Sequence, residues 1–177
     1  MIITETKLAG VYIIEPRTFE DDRGFLATSF SAREFAARGM ASAFVQNNIS
    51  FSKNLGTLRG IHYQAAPYGQ AKLVRCTSGS MFDVAVDLRP DSPTFKQWTG
   101  IELSAENRLM MYLPGDCGHA FQTMVDDTEV FYMVSEVYVA ESGRGFRWDD
   151  PAFGIEWPQT NGLIINERDR TYPDFKL

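Results

Sequence analysis

Apolar residues recur along the chain in short runs separated by turn residues, without the three-and-four spacing of long helices. The clearest run covers residues 81–88, where Phe82, Val84, Val86 and Leu88 alternate with Met81, Asp83, Ala85 and Asp87. A period of two sends successive side chains to opposite faces, so this segment is predicted as a strand. Residues 11–14 and 25–30 read as strands flanking Asp21-Asp22-Arg23-Gly24, and residues 97–103, 109–113 and 128–138 continue the series. Thr77-Ser78-Gly79-Ser80 has the composition of a hairpin turn, and Pro90-Asp91-Ser92-Pro93 and Gly143-Arg144-Gly145 also read as turns. Ser31-Ala32-Arg33-Glu34 is a capping-box pattern that opens a short helix ending near Gly39. Many short strands with one or two short helices predict an all-β, double-stranded β-helix, or jelly roll. No repeat, low-complexity tract or linker divides the sequence, so residues 1–177 are expected to form one domain. Its tail, from Asp149-Asp150-Pro151 onward, is rich in Pro, Gly and Trp and is expected to wrap the body.

Composition narrows the function classes. Seventeen basic against 23 acidic residues give a net charge of −6, which argues against nucleic acid as the main partner because phosphate backbones need an accumulated basic field. A small anion remains possible where a few Arg and Lys converge. The two cysteines, Cys76 and Cys117, form no CxxC pair, which suits a reducing compartment. Met1-Ile2-Ile3-Thr4-Glu5 does not open a signal peptide, and no apolar run approaches the ~20 residues of a membrane-spanning helix. A cytoplasmic protein that does not enter a membrane is expected. GxGxxG and GxxxxGK[ST] are both absent, so Rossmann and P-loop readings have no support.

The chain has two histidines, each beside glycines that let the backbone bend or be approached closely: Arg59-Gly60-Ile61-His62-Tyr63-Gln64 and Gly115-Asp116-Cys117-Gly118-His119. An HxH metal pattern would need His at position 64, where Gln64 stands, and there is no third histidine to complete a sphere. No metal is expected. Cys117 near His119 lacks an orienting group, so a thiol nucleophile is not expected either.

Ordered motifs run almost end to end. They include Asp22-Arg23-Gly24, Gln46-Asn47-Asn48-Ile49-Ser50, the run from Ser52-Lys53 to Gln64, and Lys72-Leu73-Val74-Arg75-Cys76. Asp83-Val84-Ala85-Val86-Asp87-Leu88-Arg89, Ser92-Pro93-Thr94-Phe95, the 114–121 loop, the Tyr132 to Tyr138 spacing, Trp148-Asp149-Asp150-Pro151 and Ile155-Glu156-Trp157-Pro158 continue the pattern. On these residues the chain resembles the dTDP-4-dehydrorhamnose 3,5-epimerase family of cupin-fold enzymes. The resemblance implies a nucleotide-linked 4-keto-6-deoxyhexose as substrate, with C3 and C5 protons acidified by the C4 carbonyl. It implies His62 as base, Asp169 as its carboxylate partner, Tyr132 as the opposing proton donor and Lys72 as the group facing the C4 oxygen. Arg23, Arg59 and His119 fall to the pyrophosphate region, Arg168 stands where Lys is usual, Tyr138 matches the residue stacking on the base, and Gln46 and Asn48 match its neighbours. A homodimer with exchanged N-terminal strands, and chemistry without a cofactor, are further implications.

Three positions depart from the family pattern. Thr28 replaces a usual Glu, Asn47 a common Asp, and Gly143 a frequent Glu. Fewer acceptor carboxylates leave the nucleotide open between dTDP and CDP, and the residues do not decide whether C3, C5 or both are inverted. A ketoisomerase, a metal-dependent cupin and a non-enzymatic sugar-nucleotide binder are the competing classes. On a regular strand Arg59 and His62 would face opposite ways, so both can serve one site only if the chain bends, with Gly60 the candidate bend.

Overall fold

A computed structural model describes residues 1–176. Two antiparallel sheets dominate it, as the strand pattern requires. The first contains β1 (Ile2–Glu5), β2 (Tyr12–Glu15), β5 (Gln46–Ser52), β7 (Lys72–Ser78), β10 (Met110–Leu113) and β12 (Thr128–Val134), in the order β1-β2-β10-β7-β12-β5. The second contains β6 (Leu58–Gln64), β8 (Ser80–Asp87), β9 (Trp98–Ser104), β11 (Cys117–Thr123) and β13 (Gly143–Gly145), in the order β13-β6-β11-β8-β9. β3 (Thr18–Asp21) and β4 (Gly24–Ala27) form a separate hairpin that pairs with neither sheet.

The sheets close on a core drawn from both, including Val74, Met111 and Val130 from the first and Met81, Ala85, Leu103 and Phe121 from the second. Each outer face has its own cover. The helix α1 (Ala32–Ala36), whose Ser31 hydroxyl caps the Glu34 N–H, lays Phe35 against Leu73, Met110 and Tyr112. The tail packs Phe153 and Trp157 over Val84, Val86 and Leu58. This explains why β8 is buried on both faces despite its alternating sequence: Met81, Asp83 and Ala85 point inward, while Val84 and Val86 lie under the tail.

Several local expectations change. Residues 77–80 do not make a hairpin, because β7 and β8 belong to different sheets; Gly79, at φ +75°, carries the chain across the corner between them. Residues 143–145 are not a free turn but the edge strand β13, paired with β6 from Gly143↔Gln64 to Gly145↔His62. The strand expected over 128–138 stops at Val134, so Tyr138 lies in the following loop, and the one expected over 25–30 ends at Ala27. A second helix, α2 (Glu167–Thr171), starts at Asn166, whose side-chain oxygen accepts the Asp169 N–H at 2.7 Å.

Candidate active site

Two adjoining chambers of about 260 and 240 Å³ open between the sheets, and His62, Lys72 and Tyr132 line both. Lys72 and Tyr132 come from neighbouring strands of the first sheet, where Val134 pairs with Lys72 and Tyr132 with Val74. His62 comes from β6 in the second sheet, directly opposite His119 on β11. Gln46, Asn48, Tyr138 and Arg168 line the first chamber; Arg59, His119 and Asp169 line the second.

Arg59 and His62 reach the same chamber because the β6–β11 register shifts between His119 and Phe121, opposite Gly60. Gly60 sits at φ +125°, and a Cβ there would lie 2.6 Å from the Ala120 Cα and 2.7 Å from the His119 carbonyl oxygen. Only glycine fits this bulge, which supplies the bend the sequence requires.

His62 Nε2 lies 2.7 Å from Asp169 Oδ1, and the other Asp169 oxygen accepts the Gly60 N–H at 3.2 Å. Asp169 is fully buried, yet 38% of the His62 side chain is exposed to the cleft. Burial pushes the Asp169 carboxyl up, but the His62 hydrogen bond and charge, the Gly60 N–H and Arg168 together hold it below the ordinary value. An ionised acceptor at Nε2 fixes the proton there and leaves Nδ1 of neutral His62 as the basic nitrogen.

A second such pair lies beside the first. His119 Nε2 is 2.8 Å from Asp83 Oδ1, both side chains are buried, and the second Asp83 oxygen finds no hydrogen-bond partner among the described residues. Burial pushes the His119 imidazole down, against the pull of Asp83, so it favours the neutral form. Burial likewise lowers the Lys72 ammonium to about 8, while the Asp83 charge works to raise it. Burial pushes the Tyr132 phenol up, keeping its proton at neutral pH. The Nε of Arg59 is also buried without a partner among the described residues.

The remaining anticipated residues fall outside the cleft. Arg23, at the tip of the β3–β4 hairpin, has a side chain 89% exposed and pairs with Asp21. Thr28 is exposed beyond β4, and Asn47 is exposed on β5 between the inward-facing Gln46 and Asn48. Sequence reasoning missed Asp83 and Gln64 as site residues. The signal for Asp83 was a carboxylate on the apolar inner face of an alternating strand; for Gln64 it was its place two residues after His62 on one strand face. Among the described residues, no group of three or more His, Cys, Asp or Glu gathers as a metal site.

The family model described as dTDP-4-dehydrorhamnose 3,5-epimerase matches residues 5–176. A protein of that name from Escherichia coli (strain K12) is 44% identical over 171 residues, covering 96% of this chain and 91% of the relative. The crystal structure of the enzyme of that name from Elizabethkingia anophelis superposes with a TM-score of 0.96 at 39% identity, covering 99% of this chain and 96% of its own. One from Bacillus anthracis, with TDP and PPi bound, gives 0.93 at 41% identity and covers 98% and 99%.

Proposed function

The chain belongs to the dTDP-4-dehydrorhamnose 3,5-epimerase family, cupin-like in fold, and we propose that its cleft inverts a nucleotide-linked 4-keto-6-deoxyhexose by proton abstraction and return beside the ketone. The observation that supports this reading is that His62 on one sheet and Tyr132 on the other line a shared cavity, where a base and a proton donor could act from opposite sides. Nδ1 of His62 takes the proton from the carbon next to the carbonyl, and the resulting imidazolium is stabilised by Asp169. Lys72, protonated below about 8, offsets the charge that develops on the C4 oxygen. The Tyr132 hydroxyl returns a proton to the opposite face. Oxidation states do not change, so the step needs no redox cofactor.

Arg59, its Nε buried and without a partner among the described residues, suits the pyrophosphate, and Tyr138 with Gln46 and Asn48 suits the base. The Bacillus anthracis enzyme holds TDP and PPi, which supports a thymidine diphosphate sugar here. Gly143, which lines the first chamber where the family often carries a carboxylate, keeps a CDP sugar as the competing substrate.

The separate β3–β4 hairpin exposes Phe19, Phe25 and Leu26, and β5 exposes Ile49 and Phe51 at a sheet edge. These features support a homodimer in which the hairpin carries Arg23 to the neighbouring cleft. Cys76 and Cys117 are both free and buried, which fits a reducing, cytoplasmic setting.

The test is incubation with dTDP- and CDP-4-keto-6-deoxyglucose in heavy water, followed by NMR. Deuterium entering C3, C5 or both, with inversion, is the expected result and reports the nucleotide and the centres used. Uptake at neither carbon on either nucleotide would refute the reading. In the same assay Tyr132→Phe should slow inversion by about 100-fold and exchange by less, because abstraction proceeds without the opposing donor. Equal losses would make Tyr132 a pocket wall only.

A further inference from the structure

Gln64 stands two residues beyond His62 on β6, 4% exposed, with its side chain committed at both ends. Its Nε2 donates to the Tyr68 carbonyl at 2.8 Å and to the Val137 carbonyl at 3.0 Å. Its Oε1 accepts the Val139 N–H at 2.6 Å. The two Val137 and Val139 contacts bracket Tyr138 in the loop after β12. Gln70 adds a bond from Nε2 to the Glu136 carbonyl at 2.6 Å, and backbone bonds tie the far side of the loop, Ala65 N–H to the Ser142 carbonyl at 2.8 Å.

Tyr138 is 57% exposed and lines the first chamber from this loop. Its backbone is therefore positioned by the Gln64 amide, not by strand pairing, since β12 has already ended at Val134. We propose that Gln64 is a positioning residue that latches the 136–139 loop to the strand carrying the base, so that the Tyr138 wall of the nucleotide chamber is formed before substrate arrives. The inference deepens the epimerase reading and rests on it.

The geometry favours a latch over a general structural role. A primary amide can donate twice and accept from one planar group, and here both donors and the oxygen of Gln64 meet a loop carbonyl or N–H. Removing it leaves the β6–β11 and β6–β13 ladders intact, because those are backbone pairings. The loss therefore falls on loop order and on ligand affinity, which must then supply the ordering free energy.

The experiment compares wild type, Gln64→Ala, Tyr138→Ala and the double variant. Titration calorimetry with dTDP measures affinity, and deuterium exchange into the ketosugar at saturating substrate measures chemistry. Gln64→Ala should weaken dTDP binding by about tenfold and raise KM in parallel, with kcat reduced by less than about threefold. In the Tyr138→Ala background the same substitution should cost little more, because the residue it positions is gone. A fall in kcat without weaker binding, or full additivity with Tyr138→Ala, would overturn the latch while leaving the epimerase reading in place. Absence of dTDP binding and of exchange in the wild type would overturn both. Should Gln64→Ala fail to fold, Gln64→Glu keeps the acceptor for Val139, sets a carboxylate against two carbonyls, and carries the same comparison.

Discussion

The two His–Asp pairs are nearly identical in local geometry and opposite in surroundings. Each joins an imidazole Nε2 to a carboxylate Oδ1, at 2.7 Å for His62–Asp169 and 2.8 Å for His119–Asp83, and each carboxylate is fully buried. The histidines even face one another across paired strands. They differ in access: 38% of the His62 side chain meets the cleft against 10% of His119. The carboxylates differ too. Asp169 has its second oxygen on the Gly60 N–H, whereas that of Asp83 is unpaired among the described residues and its charge acts on Lys72. A carboxylate partner alone does not make a histidine a base. The open pair can exchange protons with a substrate, while the sealed pair sets the electrostatics of the cavity.

The sharpest way to break this contrast is to remove each imidazole. His62→Ala should lower deuterium exchange at both carbons by on the order of 10⁴-fold, while His119→Ala should act mainly through KM, by about tenfold. A reversed ranking in steady-state kinetics would transfer the base to β11. Next, Asp169→Asn replaces an acceptor with an amide that can donate to Nε2. That would move the imidazole proton to Nδ1 and lower kcat by roughly 10²–10³-fold without a matching rise in KM. An unchanged kcat would remove the carboxylate from tautomer control.

The smallest effect is expected from Asp83→Asn, and it sharpens the role of the sealed pair. Burial depresses Lys72 to about 8 and Asp83 opposes that depression. Neutralising residue 83 therefore lowers Lys72 further, and its protonated form is lost at lower pH. The alkaline limb of kcat/KM should move toward acid by about one pH unit, which roughly halves the protonated fraction at pH 7 and lowers kcat/KM there by about twofold. A pH profile with an unmoved alkaline limb would show that Asp83 only holds His119.

How legible the molecule was in its sequence depends on how local each signal is. β8 and its neighbours announce themselves by period-two alternation, and α1 by the Ser31–Glu34 cap. The corner at 77–80 looks like a hairpin because turn composition reports a change of direction and not which sheet receives the next strand. β13 is three residues long with two glycines, too little for any pattern. In the site, no periodicity links His62 to Asp169, 107 positions apart; only the family resemblance joined them. Asp83 and Gln64 went unnoticed because their roles arise from partners distant in sequence: His119 on β11 for Asp83, and chiefly the loop after β12 for Gln64. The Gly60 bulge is the intermediate case: sequence alternation showed that something must bend and which residue could do it, but not that it did.

The carboxylate of the open pair is lent by α2, five residues held by the Asn166 cap, one parallel bridge at Thr57↔Ile164 and the bonds to β6. Such a short element can detach while the two sheets stay folded, since local opening costs less than global unfolding. Heating should thus silence turnover several degrees before the β-body melts. The catalytic rate then works as a thermometer of tail docking, read well before any spectroscopic signal of the sheets begins to change.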